Sequence, residues 1–200
     1  AFEYWDLIAR WGAMPIITKS FSINDRDEIV GQKRNTYKEC IDFLVRELDQ
    51  AAKELPANWS GDDYGRATSV AALALKSRIL LYAASPLMNE DVKIPEVGYT
   101  TPEPDRWQKA AKAATEALDA AQAAGYELYN LDGDPSKNYQ MIFMDNTAAN
   151  KETLFARMGT NSAGGESISS CDQYNNPNGY GGWGGNCPLQ ELVDAYEVVK

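Results

Sequence analysis

Apolar residues recur every three to four positions over three long stretches of the chain, and each stretch carries its own start and stop signals. Tyr37, Ile41, Leu44, Leu48, Ala51 and Leu55 share one helical face, and Lys38, Asp42, Arg46 and Lys53 share the opposite one. Thr36 and Glu39 form a Thr-x-x-Glu capping box at the start, and Pro56 stops the helix because its ring blocks a further turn. A second helix is capped by Ser69, aligns Val70, Ala74, Ser77 and Leu81, and ends at Pro86. A third, rich in alanine, runs from a cap at Asp105 to about Ala124. It places Trp107, Ala111, Ala114, Leu118 and Ala121 on one face, and Gly125 ends it. A shorter pattern groups Phe2, Trp5, Ile8 and Ala9, with Gly12 suited to the left-handed residue after the helix.

Between these stretches the pattern lapses. Met14 to Ile17 reads as extended, Ser20 to Lys33 as a polar loop, and residues 87–104, with Pro95, Pro102 and Pro104, as a loop excursion. After Gly125 the texture changes. Tyr126–Tyr129 and Thr153–Arg157 read as short strands, with a helical turn over Tyr139–Met144. Residues 159–187 are rich in Gly, Asn, Ser and Tyr and have no apolar period, so they read as one long loop. Pro188 then suits the first turn of a last helix, Leu189 to Val199, with Leu189, Leu192, Val193 and Tyr196 facing inward.

The sum is a mainly α fold of helix pairs, with a long irregular Gly/Asn/aromatic region and few short strands. Residues 1–125 form the helical region and 126–200 a loop-rich region that returns to a helix. Ser69 and Asp105 lie 36 residues apart, near the tetratricopeptide period of about 34. The tetratricopeptide motif itself does not match well.

Composition narrows the chemistry. A net charge of −10 disfavours nucleic acid and anionic membrane surfaces, while a neutral sugar polymer is indifferent to it. Histidine is absent, which removes the commonest general base and metal ligand. Carboxylates are plentiful, yet no acid and base pair stands out. Asp132-Gly133-Asp134 begins like a calcium loop but lacks the closing Glu, so it reads as a turn. No cofactor or metal is expected. No run of about 18 apolar residues would span a bilayer, and no signal peptide or lipidation motif opens the chain. The helical pattern is already under way at the first residues and ends uncapped at Val198-Val199-Lys200, which reads as a piece of a longer protein.

Binding chemistry concentrates in the loop from Cys171 to Cys187. A pyranose offers an apolar C–H face and a rim of hydroxyls. Trp183, Tyr180 and Tyr174 supply flat apolar surface, and Asn175, Asn176 and Asn178 supply paired donors and acceptors. Gly-Gly on both sides of Trp183 would leave its ring open to a ligand. The plainer reading is that the three aromatics pin the loop to the body and the glycines only make turns. Cys40, beside Ile41, reads as a buried small hydrophobe.

Six segments, in order, resemble the SusD/RagB family. Arg10-Trp11-Gly12-Ala13-Met14-Pro15-Ile16-Ile17 is similar to its "YGGVPL" entry, and Asp42 to Pro56 to its "DL..A...LP" helix. Gly65-Arg66-Ala67-Thr68 to Pro86 resembles "GR.T..AA.ALKARVLLYAASP", and Trp107 to Leu128 resembles "W..AA.AA..AI..G.Y.L". Glu152-Thr153-Leu154-Phe155 resembles "EVIF", and Pro188 to Tyr196 resembles "PTQELVDAY". The resemblance implies tetratricopeptide-like helix pairs and a non-catalytic role in capturing oligosaccharide or polysaccharide at the outer membrane. It implies transfer to a SusC-like TonB-dependent barrel, and an outward-facing protein held by a lipid anchor. The lipid-bearing segment and a C-terminal remainder would lie outside these residues. In an exported protein Cys171 and Cys187 can pair, which would contribute about 3 kcal/mol by closing the loop; two separate thiols are the alternative. The rival functions are a helix-repeat scaffold whose concave surface binds a protein, and a carbohydrate-active enzyme.

Overall fold

The computed structural model describes residues 1–131, 133–145, 147, 150–156 and 173–196. The chain forms two compact units, Ala1–Ala156 and Arg157–Lys200.

The first unit contains α1 (Phe2–Trp11), α2 (Arg26–Val30), α3 (Tyr37–Glu54), α4 (Ser69–Ala84), α5 (Pro86–Asn89), α6 (Arg106–Ala123) and α7 (Pro135–Met141). α4 packs against both α3 and α6. The α3 face predicted from periodicity is the core, with Tyr37, Ile41, Leu44 and Leu48 all buried beside Cys40 and Phe43. Its capping box is formed. Glu39 N–H donates to Thr36 Oγ1 at 3.2 Å, and Thr36 N–H donates to Glu39 Oε2 at 2.8 Å. α1 lies against this core through Trp5 and Ile8, with Trp5 edge-on to Tyr82 at 5.3 Å.

Several helix details differ from the sequence reading. The cap of α4 is Thr68, whose Oγ1 accepts the Ala71 N–H at 3.0 Å, so Ser69 is already the first helical residue. Asp105 makes no cap bond; its carboxylate instead lies 2.7 Å from the Lys109 ammonium. α6 also turns a different face inward. Ala110, Ala113 and Ala117 are buried, whereas Trp107 and Leu118 are 52% and 57% exposed. Methyl groups permit close approach to α4, and the bulky stripe would hold the helices apart. α4 is apolar around most of its circumference because it has neighbours on two sides. Val70, Ala72, Ile79, Ala83 and Ala84 are buried and Leu81 faces out.

Segments expected to be loops carry more structure than their sequence suggests. Ser22 and Asp25 build a second capping box that starts a 3-10 turn leading into α2. The 87–104 excursion is fastened to the core. Ala13 N–H donates to the Glu96 carbonyl and Tyr37 N–H to the Pro95 carbonyl, both at 2.7 Å. Tyr99, 9% exposed, meets Tyr37 edge-on at 5.3 Å. Gly12 has φ +77, and a Cβ there would lie 2.8 Å from the Glu96 oxygen, so glycine is required twice over.

Residues 126–129 and 153–156 form no strand among the described residues. One backbone bond, Glu127 N–H to the Lys151 carbonyl at 3.3 Å, links this region. The Tyr129 N–H turns instead to Glu152 Oε2 at 2.8 Å, so a side chain replaces the ladder. The expected helical turn over Tyr139–Met144 is the shifted α7, whose first turn Asp134 caps through Ser136 N–H at 3.0 Å. Asp132, the other half of the calcium-like turn, lies outside the described residues.

In the second unit the described helix is α8 (Gln190–Asp194), shorter than expected. Leu189, Leu192, Val193 and Tyr196, expected inward, are 75%, 54%, 48% and 71% exposed. Gly182 is the one buried residue among those described in this unit, so no apolar surface there covers them.

Candidate functional site

The loop from Gln173 to Cys187 folds back on itself through backbone hydrogen bonds. Trp183 N–H donates to the Gln173 carbonyl at 2.6 Å, Gly184 N–H to Asn176 at 2.9 Å, and Asn186 N–H to Tyr174 at 3.0 Å. Gly182 makes this closure possible. A Cβ at that position would sit 2.0 Å from the Asn176 carbonyl oxygen, so only hydrogen fits.

The closure brings Tyr174 and Trp183 together, ring centroids 5.4 Å apart and planes at 87°. This edge-to-face pairing fixes the indole while leaving it 60% exposed. Tyr180 is 81% exposed in a turn closed by its own N–H on the Pro177 carbonyl at 3.1 Å. Asn175 accepts from the Asn186 amide at 3.1 Å, which orients both side chains. Asn176 and Asn178 are exposed on the same loop. Asn186 was missed by the sequence reading, although it lies only three residues beyond Trp183 in the same polar run. Cys187 is an exposed thiol with Sγ 3.6 Å from the Gly184 carbonyl oxygen. Its proposed partner, Cys171, lies outside the described residues.

Cavities also open among the described residues of the first unit. A groove of about 630 Å³ runs between α3 and α6 over α4. A smaller pocket of about 210 Å³ is lined by Trp59, Tyr64, Tyr126, Asn58 and Asn150, residue types suited to sugar. Its polar tips are engaged internally. Trp59 Nε1 donates to the Ala67 carbonyl, Tyr64 Oη to Asn150, Asn58 Nδ2 to Ala124 and Tyr126 Oη to Ala57. That pocket therefore joins segments distant in sequence and offers few free donors to a ligand.

Among the described residues no group of three His, Cys, Asp or Glu is placed to hold a metal ion. No helix among them is long and apolar enough to cross a membrane.

Residues 1–81 match the SusD-like_3 family, described as "Starch-binding associating with outer membrane". A SusD-like protein from Bacteroides fragilis NCTC 9343 superposes with a TM-score of 0.66 at 28% identity, over 98% of this chain and 33% of that one. A protein designated BT4246 superposes with a TM-score of 0.58 at 31% identity, over 76% of this chain and 28% of that one. The chain thus spans about a third of the length of these solved relatives. No curated protein sequence matches it. Sequence match, helical architecture and superposition agree, and they place the chain in the SusD/RagB family.

Proposed function

We propose that the chain belongs to a non-catalytic, glycan-binding protein of the outer membrane. In this reading the full-length protein is lipid-anchored, faces outward and hands its ligand to a SusC-like TonB-dependent barrel. The description of the family matched over residues 1–81 supports the ligand class. The observation that carries the reading in this chain is the exposed indole of Trp183, held edge-on by Tyr174 on a loop that also carries Asn175, Asn176 and Asn178. A rigid aromatic with an open face gives a pyranose its apolar contact without first ordering a flexible side chain. Tyr180 extends this surface, and Asn175, Asn176 and Asn178 offer partners to hydroxyls. Capture requires neither bond breaking nor a cofactor.

Isothermal titration with soluble starch, then with a panel of neutral oligosaccharides, tests the proposal. Trp183→Ala should weaken binding at least tenfold, or about 1.4 kcal/mol, and Trp183→Phe should retain part of the affinity. Equal affinity for Trp183→Ala and the parent protein would remove the loop from the site.

A further inference from the structure

The α3–α4–α6 groove carries charge opposite to that of the chain. α3 lines it with Lys38, Arg46 and Lys53, α4 with Lys76, and α6 with Arg106, Lys109 and Lys112. Four carboxylates also line it, Asp42, Asp49, Glu103 and Glu116, so seven cations face four anions in a molecule of net charge −10.

Those acids are already engaged. Lys76, its side chain 13% exposed, bridges Asp49 on α3 at 2.7 Å and Glu116 on α6 at 3.6 Å. Lys38 pairs with Asp42 at 2.5 Å, and Arg106 and Lys109 share Glu103 at 3.4 and 3.9 Å. Just outside the groove, Glu47 lies 3.7 Å from Arg46 and Asp105 lies 2.7 Å from Lys109. The excess positive charge therefore sits on the rim. Arg46 and Lys112 are 70% and 79% exposed on opposite walls, Lys112 at 3.9 Å from Glu116, and Lys53 is exposed at the far end of α3.

Between the rims the lining is aliphatic: Val45 and Leu80 are partly exposed, and Ile41, Ala83 and Ala113 are buried. Tyr99 is the one aromatic residue in the lining, and the Arg106 guanidinium lies 3.5 Å from its ring centroid. A sugar would find no free aromatic face there. Lys38 to Lys53 spans about 22 Å of helix at 1.5 Å per residue, which matches roughly six or seven residues of extended chain.

We propose that this groove binds an extended segment of another protein, an acidic peptide with aliphatic side chains, its carboxylates on the Arg46, Lys53 and Lys112 rim and its apolar side chains on Val45 and Leu80. The inference is independent of the glycan reading, because it uses none of the loop residues.

Fluorescence anisotropy with a labelled seven-residue peptide of alternating Glu and Leu tests it, with no glycan present. The expected result is saturable binding that weakens at least tenfold in Lys53→Glu/Lys112→Glu, with the thermal unfolding midpoint retained. Raising the salt should weaken binding to the parent protein. The proposal is overturned if the peptide does not saturate, if a Ser/Leu peptide binds equally well, or if charge reversal leaves affinity unchanged. Displacement by an oligouronate at lower concentration than by unlabelled peptide would also overturn it, and would assign the groove to anionic saccharides.

Discussion

Arg106 brings a full charge into the packed start of α6, and its partners explain how. Its Nη1 donates to Asn89 Oδ1 at 2.7 Å and to the Thr101 carbonyl at 3.1 Å, while the guanidinium faces the Tyr99 ring. Truncation would strand the Asn89 and Thr101 oxygens together with the ring face. Arg106→Ala should cost about 2–4 kcal/mol in urea unfolding, and Arg106→Lys should recover only part, because an ammonium cannot reproduce the planar fork. A loss under about 0.5 kcal/mol, the range of a surface substitution, would refute this role. Tyr99 beneath it has its hydroxyl pushed up to about 12, chiefly by burial, with Arg106 partly offsetting the rise. Tyr37, 1% exposed and with no hydrogen-bond partner for its hydroxyl among the described residues, is also raised, first by burial. In the unfolded chain both would titrate near 10. The native state therefore holds these protons longer, so the contribution is complete below about pH 10 and falls as pH rises toward 12. Denaturant midpoints at pH 9 and pH 11.5 should show the loss, and Tyr99→Phe should reduce it; an equal loss in the variant would exclude Tyr99 as a source. None of this was legible locally. A lone Arg at a helix start reads as solvated, and Tyr99 sits in a proline-rich stretch with no apolar period.

At the scale of elements, start and stop signals acted as their chemistry requires, and the rotation of each helix was decided by its neighbours. The α3 face was readable because it alternates bulky apolar and charged residues with few alanines. In α6, alanine occupies several faces, so periodicity alone admits more than one buried stripe. The choice fell on Ala110, Ala113 and Ala117 because α4 approaches closely. The cap of α4 is a similar one-residue ambiguity, since Thr68 and Ser69 both carry a suitable hydroxyl. Thr68 is 2% exposed and also donates to the Leu154 carbonyl at 3.4 Å, a tertiary bond that holds it in place. Thr68→Ala should cost about 1–2 kcal/mol, and Ser69→Ala less than about 0.5 kcal/mol. Equal losses in chemical denaturation would return the cap to Ser69.

At the scale of the molecule, the buried hydrophobic core among the described residues lies in the first unit. A fragment of residues 1–156 should therefore keep helical circular dichroism and a cooperative thermal transition. A broad, non-cooperative transition would show that its core depends on the residues that follow. What the sequence determined by itself was local: the existence and ends of the long helices, the cap at Thr36, and an aromatic, amide-rich loop around Trp183. These follow from interactions within a few residues of chain, where spacing and side-chain chemistry suffice. The tertiary structure alone decided which face of α6 is buried, how Tyr99 and Arg106 close the core, and how Tyr174 meets Trp183. It also decided that cations from three separate helices line one groove. Those outcomes depend on contacts between residues far apart in sequence, and helical or turn periodicity carries no record of which distant surface will arrive.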